Sequence, residues 1–153
     1  MEFMIIEGVP DYSKLIELIR AEWPEEFGEK TDNEMVEDMI KSHDPDKDRS
    51  FLLEDAGAVI GFCRCTAWPR SARLTDTAHT YDIVILPDRQ GEGLGTLLLN
   101  RMMKDCISQG FKRLLSRSFL TNEGSIRLHE RCGFIESIRT EDSIVWEKYL
   151  SSE

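Results

Sequence analysis

Three glycines alternate at Gly91, Gly93 and Gly95, between an apolar run ending Ile83-Val84-Ile85-Leu86-Pro87 and a second beginning Leu97-Leu98-Leu99. Glycine has no Cβ, so backbone N–H groups at such positions can approach a ligand closely. A helix that starts there adds its own unpaired N–H groups and the positive end of its dipole. The chemistry this serves is anion binding, and phosphate is the anion it suits. A second constellation follows at Asn122, Ile126 and His129. Spaced i, i+4 and i+7, they fall on one face of a helix. Acid–base groups also cluster at His79, Tyr81 and Asp82.

Two familiar phosphate loops do not fit. A Walker-type loop ends in Gly-Lys-Ser/Thr, whereas Gly95 is followed by Thr96-Leu97. A dinucleotide fingerprint reads G-x-G-x-x-G, with an acid about 20 residues on. Here the spacing is G-x-G-x-G, and Leu114-Leu115-Ser116 carries no acid. Gln90-Gly91-Glu92-Gly93-Leu94-Gly95 instead resembles the Q/R-x-x-G-x-G/A loop of the GCN5-related N-acetyltransferase (GNAT) superfamily. Asn122-Glu123-Gly124-Ser125-Ile126-Arg127-Leu128-His129-Glu130-Arg131-Cys132-Gly133-Phe134 is similar to that family's N-x-x-A/S-x-x-L-Y-E-x-x-G-F segment. The match departs at one position, where His129 stands in place of tyrosine.

The resemblance implies acetyl-CoA as co-substrate. Backbone groups of Ile83, Val84 and Ile85 would run beside its pantetheine arm. N–H groups of Gly91, Glu92, Gly93, Leu94, Gly95 and Thr96 would hold the pyrophosphate, with Gln90 and Arg89 as side-chain donors and Asn122 on the arm. Leu94 would offer only its backbone, its side chain facing the core, and Glu92 would turn its side chain to solvent. In acetyl transfer a neutral amine attacks the thioester and expels a thiolate. A free thiol has a pKa of about 8.5, so a general acid helps without being indispensable. His129 is expected to replace the family tyrosine as that acid, since histidine can donate a proton near neutral pH. Asp82 is the expected base; simple strand alternation sets it on the face opposite His79 and Tyr81.

The elements that must position these groups follow from periodicity and turns. Strands are expected at Phe3–Ile6, Phe51–Glu54, Ala58–Cys65, Thr80–Leu86, Lys112–Phe119, Phe134–Arg139 and Ser143–Tyr149. Helices are expected at Tyr12–Glu22 capped by Asp11, Asn33–Ser42 capped by Asp32, Leu94–Ser108 and Glu123–Arg131. Asp55-Ala56-Gly57 reads as a hairpin turn, and Gly110 as a helix stop. The resulting order, β-α-α-β-β-β-α-β-α-β-β, agrees with the fold the resemblance implies. That fold is an α/β (α+β) GNAT domain over residues 1–153, with a central, mostly antiparallel mixed sheet of about seven strands flanked by four helices.

Composition narrows the partners. The net charge is −10 over 153 residues. Residues 1–60 hold 6 Lys and Arg against 17 Asp and Glu, and the remainder is nearly balanced. Nucleic acid is an unsuitable partner, because binding it rests on cations that neutralise phosphates. No apolar run approaches the roughly 18 residues of a membrane span, and the start lacks a secretion signal. The four cysteines form no paired metal-ligand pattern, so no metal is expected. Reduced thiols suit a cytoplasmic protein, with Cys63 and Cys65 as buried neighbours on one strand face.

The acceptor would be a small-molecule amine or a peptide amino group. Candidate contacts are Tyr12, Trp23, Phe27 and Trp68, with Glu26 or Glu29 for a cation and Arg70 and Arg73 for a carboxylate. Trp68 could equally serve the core at the end of its strand. The acidic N-terminal third reads either as a solvated helical face or as a field that draws in a cationic amine. Two alternatives are a non-catalytic acetyl-CoA-binding sensor, suggested by the missing tyrosine, and an acyltransferase for longer acyl-CoA. Ser143–Tyr149 as an edge strand would leave room for a homodimer.

Overall fold

A computed structural model describes residues 3–8, 15–22, 29–44 and 46–151, with the side chains of residues 3, 4, 6–8, 21, 22, 81 and 82 excepted. Asp11, Tyr12, Trp23 and the Glu25–Phe27 stretch lie outside the described residues, and with them half of the expected acceptor contacts. The strands are β1 (Phe3–Gly8), β2 (Asp48–Asp55), β3 (Ala58–Ala67), β4 (Thr77–Ile85), β5 (Arg113–Phe119), β6 (Ile135–Arg139) and β7 (Ser143–Tyr149). The helices are α1 (Ile16–Glu22), α2 (Asp32–Ser42), α3 (Leu94–Ser108) and α4 (Glu123–Arg131). One seven-stranded sheet has the order β1-β2-β3-β4-β5-β7-β6. Only β4 and β5 run parallel; every other neighbouring pair is antiparallel.

The two faces of the sheet carry separate apolar layers. Leu52, Phe62 and Val84 pack under α1 and α2 with Leu15, Leu18 and Met35. Phe51, Cys63, Cys65 and Leu114 face the other way, onto Leu98, Leu99 and Met102 of α3. Cys63 and Cys65 are buried on one face, as their two-residue spacing requires. Gly61 lets α3 come close: a Cβ there would lie 2.8 Å from Ile85 Cδ1 and 2.9 Å from Leu98 Cδ1. At the β2–β3 turn Ala56 and Gly57 both have positive φ, 52° and 84°. That is the turn whose twist matches a hairpin.

Three expectations are corrected. The N-cap of α2 is Thr31, not Asp32. Thr31 Oγ1 accepts from Glu34 N–H while the Glu34 carboxylate accepts from Thr31 N–H, a reciprocal pair that satisfies two helix-end donors. Asp32 is instead held by Arg20 of α1. The edge strand at this end of the sheet is β6, with all five of its residues exposed, whereas β7 lies between β5 and β6. Apolar alternation reports which face of a strand is buried and not its rank in the sheet, so it could not decide this. Finally, Arg70 is not available for an acceptor carboxylate: it bonds to the Asp48 carboxylate and to Thr66 Oγ1. Asp48 is 5% exposed, and although burial opposes its charge, bonds from Asp44 N–H, Thr66 and Arg70 hold its carboxyl below the ordinary carboxylate range.

Candidate active site

The site begins where β4 and β5 part. Their ladder joins Thr77–His79 to Arg113–Leu115 and goes no further. β4 itself changes course here, in its pairing with β3. Cys65 pairs with Thr80 and Arg64 with Asp82, so β4 carries Tyr81 as an extra residue and bends there. The bulge also resets the alternation. His79 opposite Thr66 and Asp82 opposite Arg64 occupy register positions on one face, not on opposite faces as simple alternation requires. The edge of β4 beyond the split, at Ile83–Ile85, is left facing a groove.

That groove has a volume of about 540 Å³. Its β4 wall is Ile83, Val84 and Ile85, its floor the glycine turn and the start of α3, and its far wall α4 from Asn122 to Arg131. Every residue expected to touch the cofactor lines it except Glu92, whose carboxylate is paired with Arg89 at 3.0 Å. Leu94 is buried, so only its backbone faces the groove.

The glycine turn is built to leave donors open. After Ile85 the chain makes a short 3-10 turn, Pro87–Arg89, then passes Gly91 at φ 84° and Gly93 at φ 81°. Gly93 is the N-cap of α3, without a side-chain cap and with no acid in the first turn. The first helical N–H groups have no intrahelical acceptor, and no carboxylate of that turn offsets the dipole. Gly95 faces Leu128, whose Cδ2 would sit 3.3 Å from an added Cβ, so this glycine sets how close α4 packs. Gln90 has another part than expected: its amide donates to Ile85 O at 3.0 Å, pinning the strand end to the turn. Arg89 braces the same turn against Asp55 at 2.9 Å.

On α4, Asn122 is the N-cap, and its side-chain oxygen accepts from Ser125 N–H at 3.0 Å. Asn122→Ala should cost about 1 kcal/mol in urea unfolding, the ordinary value of such a cap. Arg127 and Arg131, four residues apart, form a cationic wall that the motif comparison passed over. The sequence signal for them was the i, i+4 repeat on a helix already placed beside the glycine turn.

His129 is not where the sequence placed it. It is 1% exposed, beneath α4, stacked on Trp146 at 5.5 Å and edge-on to Phe134 at 5.0 Å. Its Nδ1 is 2.7 Å from Ser125 O and its Nε2 is 2.7 Å from Ser116 Oγ. A carbonyl only accepts, so Nδ1 carries the proton and Nε2 accepts from Ser116. Burial lowers its pKa, and the bond to Ser125 O only partly opposes this. A neutral ring with both nitrogens engaged in the core does not act as the direct proton donor. Helical spacing put His129 on the same side as Asn122, but that side turns inward at its C-terminal end.

A consequence is testable. With a pKa below the ordinary value of about 6.5, His129 binds fewer protons folded than unfolded. Its contribution to stability is present above that value and is lost as the pH falls toward the folded pKa. His79 acts in the same sense: burial lowers its pKa, its bond to Thr80 O opposes this, and Arg117 adds to the lowering. The urea midpoint should fall between about pH 7.5 and about pH 5.5, and less steeply in His129→Gln.

A family model described as Acetyltransferase (GNAT) family matches residues 12–134. The chain belongs to the GNAT acetyltransferase family. Among solved structures, an N-acetyltransferase from Staphylococcus aureus Mu50 superposes with TM-score 0.81, at 18% identity over 99% of this chain and 100% of that one. PaiA N-acetyltransferase from Thermoplasma acidophilum, in complex with coenzyme A, gives 0.74 at 16% identity over 97% and 99%. Curated relatives include L-amino acid N-acyltransferase MnaT of Escherichia coli K12, 28% identical over 55% of this chain and 48% of its own length. Spermidine N(1)-acetyltransferase of Vibrio cholerae is 27% identical over 77% and 66%. The matches to curated relatives span between 41% and 66% of the relatives' length. No helix among the described residues is long and apolar enough to cross a membrane, and no described cluster of His, Cys, Asp and Glu could hold a metal ion.

Proposed function

We propose that this protein is an acetyl-CoA-dependent N-acetyltransferase acting on a primary amine of a small molecule or a peptide. The observation that carries the reading is the uncapped glycine turn at the mouth of a split between parallel strands. One end of the groove suits phosphate; the other offers a free strand edge to an amide-bearing arm. Arg127 and Arg131 would meet further phosphate charge. The acid-free first turn and the residues flanking it therefore fit coenzyme A, which would supply an activated thioester.

In the reaction the chain's own residues hold the arm against Ile83–Ile85 and fix the thioester at the split. α4 packs against the face of β5 that carries Ser116 and Ser118, through Ser125 and His129. An amine therefore has to approach from the opposite face, where His79 and Trp68 lie 5.1 Å apart. Trp68 is 38% exposed, so it is a wall of that face and not a core residue. Asp82, by its register position on the same face as His79, is the proposed proton acceptor, through water. Related proteins are named for spermidine and for L-amino acids; both acceptor classes belong in the test.

The double variant Arg127→Ala/Arg131→Ala should weaken coenzyme A binding about tenfold, since two half-solvated cation–phosphate bonds together amount to little more than 1 kcal/mol. Raised salt should shrink the difference between variant and wild type in calorimetric titration. An unchanged dissociation constant would move the phosphates away from α4.

A further inference from the structure

The inward side of α4 holds a chain of hydroxyls that ends in the groove. Trp146 of β7 donates from Nε1 to Ser118 Oγ at 2.9 Å. Ser118 Oγ lies 2.6 Å from Ser125 Oγ, and Ser125 lines the groove. The proton positions follow from the partners. Indole N–H can only donate, so Ser118 accepts from Trp146. His129 Nδ1, 3.3 Å from Ser118 Oγ, already carries a proton toward Ser125 O, so Ser118 cannot donate to it. The Ser118 proton is therefore directed to Ser125 Oγ, which leaves the proton of Ser125 itself for another acceptor. Ser116, Ser118, His129 and Trp146 are each at least 95% buried, so the chain is shielded from water and keeps its direction.

We infer that Ser125 is the hydrogen-bond donor to the sulfur of the departing coenzyme A, held in that orientation by Trp146, Ser118 and neutral His129. The inference rests on the function proposed above. Ser125 precedes Leu128 by almost one helical turn, and Leu128 packs on Gly95 at the phosphate end. Ser125 therefore stands further along the arm, beside the β4–β5 split. No proton need reach the sulfur during transfer. The amine nitrogen bonds to the acyl carbon and gives up its proton through water to the proposed acceptor Asp82. The C–S bond breaks, the sulfur leaves as thiolate, and the Ser125 O–H stabilises the new charge. Water protonates the thiolate later. His129 is thus a positioning residue, and the missing tyrosine is answered by a hydroxyl one turn earlier on α4.

The test uses the full chain as wild type, Ser125→Ala and Ser125→Thr. One hydrogen bond to a developing charge predicts a kcat about tenfold lower in Ser125→Ala, with KM for acetyl-CoA little changed. Ser125→Thr keeps the hydroxyl and should restore most of the rate. In parallel, the thiol of bound coenzyme A is titrated by its thiolate absorbance; its pKa should be higher in Ser125→Ala than in wild type. That second readout needs no turnover, so it judges the donor even if no acceptor is acetylated. Equal thiol titrations in wild type and Ser125→Ala overturn the inference, as does an alanine variant with the wild-type kcat.

Discussion

Gly93→Val is expected to raise the dissociation constant of coenzyme A by at least about 100-fold while leaving the chain folded. Gly93 sits at φ 81° with no atom within 4 Å of a built Cβ, so the side chain would not clash. The cost is conformational. A β-branched residue resists left-handed backbone, at roughly 1–2 kcal/mol. Relaxing to negative φ would re-aim the N–H groups that open α3. Each hydrogen bond from such a group to a charged phosphate contributes about 1.5–3 kcal/mol, and each 1.4 kcal/mol is about tenfold in affinity. Re-aiming two such groups, about 3 kcal/mol together even at the low end of that range, accounts for the predicted factor. Calorimetric titration with coenzyme A and a thermal melt, run on the same preparation, separate lost binding from lost fold. Unaltered affinity would mean that the phosphates do not use this turn.

His129→Ala is expected to destabilise the protein severely, by about 3–5 kcal/mol in urea unfolding. Removing a buried ring leaves a cavity comparable to that of an aromatic-to-alanine change. It also strips Ser116 Oγ of its acceptor and removes the face on which Trp146 stacks. Against a domain's usual 5–15 kcal/mol, a loss of this size unfolds a measurable fraction near body temperature. The result separates two roles for the same residue. A general acid at the thioester predicts lost turnover in a protein of normal stability. A buried positioning residue predicts that stability falls first, and that turnover follows the folded fraction and the orientation of Ser125. A fully stable, inactive His129→Ala would return the proton to His129.

These two residues also show what the chain alone could convey. The glycine turn was legible because it is local: strand, glycines and helix start lie within about 15 consecutive residues. Each glycine there answers to a backbone requirement visible in spacing. The same holds for the Ala56-Gly57 hairpin and for the helices whose apolar stripes repeat at helical spacing. His129 was readable as a member of α4 but not as a core residue. Which way a helix end turns depends on the sheet beneath it, and Ser116, Ser118 and Trp146 arrive from strands 11 to 17 residues away on either side. Tyr81 was misread for a related reason. A bulge is a relation between two strands, so alternation along β4 alone set Asp82 on the wrong face relative to His79. Arg70 looked available because Asp48, its buried partner, is 22 residues distant. The acidic N-terminal third is partly neutralised on the fold, by Arg20 with Asp32 and Lys30 with Asp38. Arg49 of β2 likewise pairs with Asp105 of α3, an ion pair no local pattern announces.

The central claim is that the groove between β4 and α4 presents acetyl-CoA for transfer to an amine. It is tested most directly by following thiol release from acetyl-CoA against polyamines, amino acids and peptide N-termini, with the acceptors analysed by mass spectrometry. The account predicts amine-dependent thiol release with stoichiometric acetylation of one acceptor class, absent in Gly93→Val. Acetyl-CoA that binds the wild type without acetylating any member of the panel, or that does not bind at all, would contradict it.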